Sequence, residues 1–290
     1  MRKLQDILND QADMGTIVQL TGVFEAIAST HISDIKDQVL HAQDFFNELW
    51  KIYSQIRVDK LFRFGRQKDE VVNNKELYII VTSAGGFSGD IDQRLIKEML
   101  KVYKPGDNDI IVIGYHGALL LSQSKIPYKK YFKIPAHSRN LNVEPLIKEI
   151  SQYKNTIIFY QSYVSLMTQD IKQIEASAAL KELSKNNEGD TEIISEETYI
   201  FEPSSYDVII HLERSMLQIM LSQVIFDSQL AQYASRFRAM TLANNRSVES
   251  LGEVRTLYNR TRRERRDTQL KMIINDLRII NAKSQKTGGS

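Results

Sequence analysis

Residues 228–263 read SQLAQYASRFRAMTLANNRSVESLGEVRTLYNRTRR, with no proline and a single glycine, Gly252. The surrounding stretch, Ser204 to Thr287, has no other glycine and no proline either. Leu217, Met220, Leu221, Val224, Phe237, Met240, Leu251, Val254, Tyr258, Leu270, Ile273, Ile274, Leu277 and Ile280 recur there at helical spacings. One unbroken helix over this length would run roughly 110 Å at about 1.5 Å per residue. A compact domain cannot cover such a helix from end to end, so it needs a partner helix. Between Ser228 and Ala243, small residues (Ser228, Ala231, Ala234, Ser235, Ala239, Ala243) would let a neighbouring backbone approach closely.

The N-terminal stretch supplies that partner. From Met1 to Lys60 there is no proline, and glycine occurs only at Gly15 and Gly22. Ile7, Gln11, Met14, Val18, Thr21, Glu25, Ala28, Ile32, Ile35, Val39, Ala42, Phe46, Leu49, Tyr53 and Ile56 alternate steps of three and four, a heptad-like seam. Its polar positions, Gln11, Thr21 and Glu25, all fall in the first 25 residues. A bundle of ordinary amphipathic helices would also satisfy these spacings. The length without a breaker favours an extended antiparallel coiled coil.

All five prolines lie between Pro105 and Pro203, so the centre is built differently. Leu77 to Thr82 and Asp109 to Gly114 read as short buried strands, with a helical period over Ile91 to Tyr103 between them. Thr156 to Tyr163 is a third strand; Met167 to Ile174 and Glu192 to Glu202 are weaker ones. Asn186 to Asp190 reads as a turn. The expected fold class is α/β: a central Rossmann-like domain between N- and C-terminal helices of a long antiparallel coiled coil. The expected divisions are 1–62 for the first helix, 76–203 for the central domain, 206–283 for the second helix and 284–290 for a flexible tail.

The composition excludes several function classes. Among 290 residues, 26% are charged and 42% hydrophobic, with a formal net charge of +2 and no cysteine. There is no disulfide framework, thiolate metal site or cysteine nucleophile. Five scattered histidines do not suggest a metal cage. No apolar run approaches the roughly 18 residues of a membrane span. The opening MRKLQDILND lacks the apolar core of a secretory signal.

Ser83-Ala84-Gly85-Gly86-Phe87-Ser88-Gly89 lies between a strand and a helix, where phosphate loops sit. No lysine follows, and the spacing matches neither the P-loop nor the dinucleotide fingerprint. Gly85, Gly86 and Gly89 therefore read as a structural turn. A Ser88–His116 pairing completed by an acid would make a hydrolase, but no nucleophile motif supports it. His137 sits near Arg139 in a loop. Tyr128, Lys129, Lys130, Tyr131 and Lys133 mix aromatic and basic residues as single-strand nucleic-acid binders do, but a solvated edge strand explains them better.

Arg255 to Arg278 carries eight cations against Glu264, Asp267 and Asp276, a local charge of +5. Arginine forks suit carboxylate or phosphate partners. An acidic protein loop, RNA or anionic lipid would each fit such a collar. Glu182 to Glu202, by contrast, carries −6, so the near-neutral total averages over opposites.

Three segments resemble the γ subunit of F-type rotary ATPases, the central stalk. They are Tyr199 to Ser204 (YIFEPS), Ser235 to Met240 with Ala243 and Asn244, and Leu257 to Arg262 (LYNRTR). Weaker similarity covers Leu20 to Ile32 and Thr82 to Gly89. The resemblance implies a non-catalytic rotor without cofactor or metal. It would couple ATP hydrolysis or synthesis in a ring of α- and β-type subunits to rotation, on the cytoplasmic face of a bacterial membrane. An ε-type subunit and a membrane c-ring would lie at the foot. It assigns β-loop contacts to Arg236, Arg262 and Arg263, continued by Asp267 and Gln269, with Phe24 at a further contact. Ala84-Gly85 replaces the family's Asp-Arg pair. That departure, together with Arg265 and Arg266 where the family has small or apolar residues and a C-terminus about ten residues beyond the usual end, suggests a divergent, mycoplasma-type complex, for which a motility or surface motor without proton translocation is an alternative. The alternative of another class is a coiled-coil nucleic-acid binder using the Arg255–Arg278 collar.

Overall fold

The computed structural model describes residues 4–55, 73–133, 141–176, 202 and 205–287. The elements are α1 (Leu4–Gln55), β1 (Asn73–Val81), α2 (Ile91–Val102), β2 (Asn108–Ile113), α3 (Tyr115–Gln123), β3 (Lys130–Phe132), α4 (Glu144–Ile150), β4 (Tyr153–Tyr163), β5 (Gln169–Glu175) and α5 (Ser205–Thr287). They fall into two compact units: Met1–Glu25 with Met240–Ser290, and Ala26–Ala239.

In the larger unit five strands form one sheet in the order β3-β2-β1-β4-β5. The first four are parallel, and β5 returns antiparallel to β4. Alternation along β1 sets the layers. Leu77, Ile79 and Val81 face α4 (Leu146, Ile147, Ile150) and α5 (Met216, Leu217, Met220, Leu221, Val224, Ile225). Tyr78 and Ile80 face α2 (Leu95, Ile96, Met99) and α3 (Ala118, Leu121), joined by Phe159. Each such fully buried side chain contributes about 1.5–3 kcal/mol relative to exposure. Both faces are covered, which is why the strands read as continuous apolar runs. Gly114, at φ 101°, makes the β2–α3 turn; a Cβ there would collide with the Thr82 carbonyl.

Residues 26–39 of α1 belong to this unit and run antiparallel to α5. Ile35 packs on Phe226 and Leu230, and His31 stacks on Tyr233 with ring centroids 4.6 Å apart. Ser228, Ala231 and Ala234 are fully buried, and Ser228 faces β4, where its hydroxyl bonds Gln161.

The smaller unit is a helix pair. The prospective Cβ of Gly22 lies 3.2 Å from Asn244 Nδ2, and the Thr241 hydroxyl donates to Glu25 Oε1 at 2.7 Å, so the helices are antiparallel here too. Two of the seam's polar groups, Thr21 and Glu25, have partners within the unit. Thr21 donates to the Ile17 carbonyl at 2.8 Å, and Glu25 receives Thr241. Taking each unit in turn, every seam position from Ile7 to Val39 is buried or half-buried.

The expected strand at Met167 to Ile174 is β5, beginning two residues later. β3 is an edge strand, as the Tyr128–Lys133 composition suggests. Spacing did not signal α3, β3's pairing or α4, which are only 9, 3 and 7 residues long. The YIFEPS segment (apart from Glu202), His137, Arg139, the acidic loop and the strand expected at Glu192 to Glu202 lie outside the described residues.

Candidate functional site

Ligands of open parallel sheets bind outside the carboxyl ends of the strands, where strand order reverses. Here that point lies between β1 and β4, and the chain fills it with its own helix. Ser235 Oγ donates to the Ser88 carbonyl at 2.7 Å. The Arg236 guanidinium donates to the Gly85 carbonyl at 3.4 Å and to Ser88 Oγ at 3.3 Å. It also lies 5.1 Å from the Tyr233 ring centroid. A phosphate loop offers N–H groups to an anion; this turn instead offers oxygens to a cation. Gly89 takes φ 65° and Phe87 takes φ 66°, a strained value for a bulky residue. Gly85 and Gly86 have no positive φ in this turn.

Beneath the turn sits a polar cluster that spacing gave no sign of. Asp92, at the start of α2, is 1% exposed. It accepts Ser83 N–H at 3.3 Å, Ser83 Oγ at 2.5 Å and Gln161 Nε2 at 2.8 Å, and it pairs with His116 Nδ1 at 2.7 Å. The Asp92 carboxylate raises the His116 pKa above its ordinary value, against the lowering effect of burial. The acid that would complete a Ser88–His116 pair is therefore present, but Ser88 binds Arg236 and is 2% exposed. Among the described residues no imidazole is hydrogen-bonded to Ser88 to activate it. No group of residues able to hold a metal occurs among the described residues.

The sequence-derived contact residues separate into two environments. Arg236 is engaged within the chain, as described. Arg262, Arg263, Asp267 and Gln269 are exposed on α5, and Phe24 is half-buried on α1. The pattern of exposure along α5 marks the difference. Half-buried positions recur through Thr261 and Glu264, and then Arg265 to Arg278 is exposed on every face. The cause lies in the smaller unit: counting antiparallel from Gly22–Asn244 puts the start of α1, Leu4, opposite Arg262. Beyond it α5 has no partner helix among the described residues. Leu270, Met272, Ile273, Ile274 and Leu277 are 49–60% exposed there. Such an apolar surface on a long helix marks a protein contact.

The collar's charge is also less isolated than its residue count suggests. Leu4 to Glu25 of α1 carries Asp6, Asp10, Asp13 and Glu25 and no lysine or arginine. Arg260 pairs with Glu264 at 3.2 Å, an exposed pair of the kind worth about 0–1 kcal/mol.

A family model described as ATP synthase matches residues 3–275. An ATP synthase gamma chain of Geobacter metallireducens is 20% identical, over 97% of this chain and 99% of that one. An ATP synthase gamma chain of Mycoplasmopsis synoviae is 29% identical over 73% of this chain and 74% of its own length. Among solved structures, a chain of the Euglena gracilis mitochondrial ATP synthase OSCP/F1/c-ring assembly superposes with a TM-score of 0.57 at 14% identity, covering 93% of this chain and 96% of that one. A chain of the Tetrahymena thermophila mitochondrial ATP synthase central stalk/c-ring gives 0.56 at 14% identity, covering 77% and 99%.

Proposed function

The chain belongs to the ATP synthase gamma family, and from that premise we propose that it is the central rotor stalk of an F-type rotary ATPase. In this reading it catalyses nothing itself. It turns inside a hexamer of α- and β-type subunits and couples their ATP hydrolysis or synthesis to rotation. An ε-type subunit and a membrane c-ring are its partners at the foot. It is a peripheral subunit on the cytoplasmic face of a bacterial membrane; no helix among the described residues is long and apolar enough to cross one.

The observation that carries this reading is the uncovered end of α5. Arg265 to Arg278 is helical yet exposed on every face, a poor arrangement for an isolated chain and a natural one for a helix that enters a ring. Arg262, Arg263, Asp267, Gln269 and Phe24 are the side chains we assign to β-subunit loops. Arg236 serves the same end from inside, by fixing the Gly85–Gly89 turn against α5. Exposed arginines facing acidic loops attract over a distance near 8–10 Å. Each pair is nonetheless weak enough to break as the rotor turns. The nucleic-acid reading of the collar has no support from the family match.

The test is co-purification and coupling. The chain should recover α- and β-type subunits at one copy per hexamer. Arg262→Ala with Arg263→Ala should lower coupled rotation while ATP binding by the partners stays intact. A stable monomer with strong RNA affinity, or loss of ATP binding in the double variant, would refute the assignment.

A further inference from the structure

The buried cluster at the carboxyl ends of β1 and β4 does more than fill space, because its hydrogen bonds have a fixed direction. Asp92 accepts only, so the Gln161 amide must turn its NH2 toward Asp92 Oδ1, at 2.8 Å. Its carbonyl Oε1 then faces α5 and needs donors. Ser228 Oγ supplies one at 2.5 Å and Gln232 Nε2 another at 3.2 Å, while Gln232 also donates to Ser228 Oγ at 3.0 Å. Ser228, Gln232, Gln161 and Asp92 are each 5% exposed or less. At the other end His116, on the first turn of α3, donates to Asp92 Oδ2 and keeps a side chain 23% open to solvent. The relay therefore runs from a solvent-accessible imidazole to the buried face of α5 in one unbroken chain of hydrogen bonds.

We propose that this Ser228–Gln161–Asp92–His116 relay is a proton-controlled latch that sets how firmly α5 is seated on the α/β sheet. With His116 protonated, the buried carboxylate has a countercharge and the cluster is neutral. With His116 neutral, the Asp92 charge is stabilised only by Ser83, Gln161 and a weaker imidazole bond. Parting α5 from the sheet admits water and relieves that cost. Among the described residues, α2 contributes Asp92 and α5 contributes Arg236, one turn beyond Gln232; the turn after β1 contributes the uncharged Ser83, β4 the uncharged Gln161, and Tyr115 precedes His116 in α3.

The sign follows from linkage. His116 has its pKa raised above the free value by its hydrogen bond to Asp92, against the lowering effect of burial; in the latch, where seated α5 keeps that pair dry, its protonation contributes stability that is fully present below the unfolded pKa. That stability is lost as pH rises through the seated-state pKa. The seat of α5 is thus firm in mildly acidic conditions and looser at alkaline pH. Linkage is reciprocal, so unseating α5 must lower the His116 pKa.

The experiment uses the full chain. Amide hydrogen exchange of α5 around Ser228 to Gln232, divided by the intrinsic rate at each pH, should rise several-fold across the His116 titration followed by NMR. Exchange in the helix pair around Gly22 should not follow that titration. His116→Gln, a donor without a charge, should remove the pH dependence. Ala231→Leu, a wedge at a fully buried position one turn from Ser228, should move the His116 midpoint down toward 6.5. An unchanged midpoint in the wedge variant, or a pH dependence that survives His116→Gln, overturns the latch. Should His116→Gln fail to fold, the wild-type titration and the wedge still decide. The consequence for rotation, looser coupling at high pH, rests on the stalk reading. The exchange result does not, so either can fail alone.

Discussion

The same deletion made twice on one helix separates the two halves of α5. Leu221 is 1% exposed, wedged between α5 and the sheet with Ile79, Met220 and Val224 in the same core. Leu277 is 54% exposed on the uncovered end. Truncating each to alanine removes the same atoms. At Leu221 the loss includes the transfer free energy and a cavity among side chains that cannot collapse fully, about 3–4 kcal/mol. At about 2–4 °C per kcal/mol for a unit of this size, the thermal transition of the α/β unit should fall by roughly 6–16 °C. At Leu277 there is little burial to lose, so the isolated chain should change by under about 0.5 kcal/mol. The assembled complex should behave in the opposite way. Leu277→Ala should weaken recovery of α- and β-type subunits, because in the proposed ring this side chain is covered. Calorimetry of the purified chain reads the first effect and quantitative co-purification the second. Equal destabilisation of the isolated chain by both variants would refute the reasoning, for it would show that the end of α5 is packed within the chain. A silent Leu221→Ala would refute the docking of α5 on the sheet.

Three further outcomes are expected. Gly114→Ala should abolish or severely reduce folding of the α/β unit, since a Cβ there meets the Thr82 carbonyl and the backbone stands at φ 101°; a soluble variant with wild-type melting would contradict this. Lys125 occupies φ 57° at the end of α3, so Lys125→Gly should raise stability by about 0.5–1 kcal/mol, read by denaturant unfolding. Asp227 is held above the ordinary carboxylate value by burial, a shift opposed by the Tyr163 N–H, the Ser162 hydroxyl and Lys172. The folded state therefore disfavours its charge, a cost absent at low pH and complete once pH passes the raised value. Asp227→Asn keeps an acceptor for Tyr163 N–H (3.1 Å in the wild type), so it should be more stable than wild type at neutral pH. The advantage should vanish as pH falls below about 4; an advantage constant across that range would rule the argument out.

The helices and the layered centre were legible because their signals are local and repeat. A seam of threes and fours from Ile7 to Val39 needs only the helical period to be read. Unbroken apolar runs such as LYIIV and IIVI need only a sheet covered on both faces. The family resemblance was legible in the same way, from short runs such as YNRTR. The short elements α3, β3 and α4 were not, because too few residues repeat to show a period.

What the sequence left open was which polar residue meets which. Arg236 and Arg262 are the same residue type on the same helix, yet one is held against the Gly85 turn and the other stands in solvent. Asp92 and Gln161 are separated by 69 positions, and Gln161 and Ser228 by 67. Only the strand order, which sets the ends of β1 and β4 side by side under α5, brings them within hydrogen-bond reach. By itself the sequence determined two long helices, an α/β centre and the family, because hydrophobic periodicity is a property of neighbours along the chain. The tertiary structure alone decided which charges are buried, which are free and which are linked, because a side chain's electrostatic surroundings are set by whatever the fold places beside it.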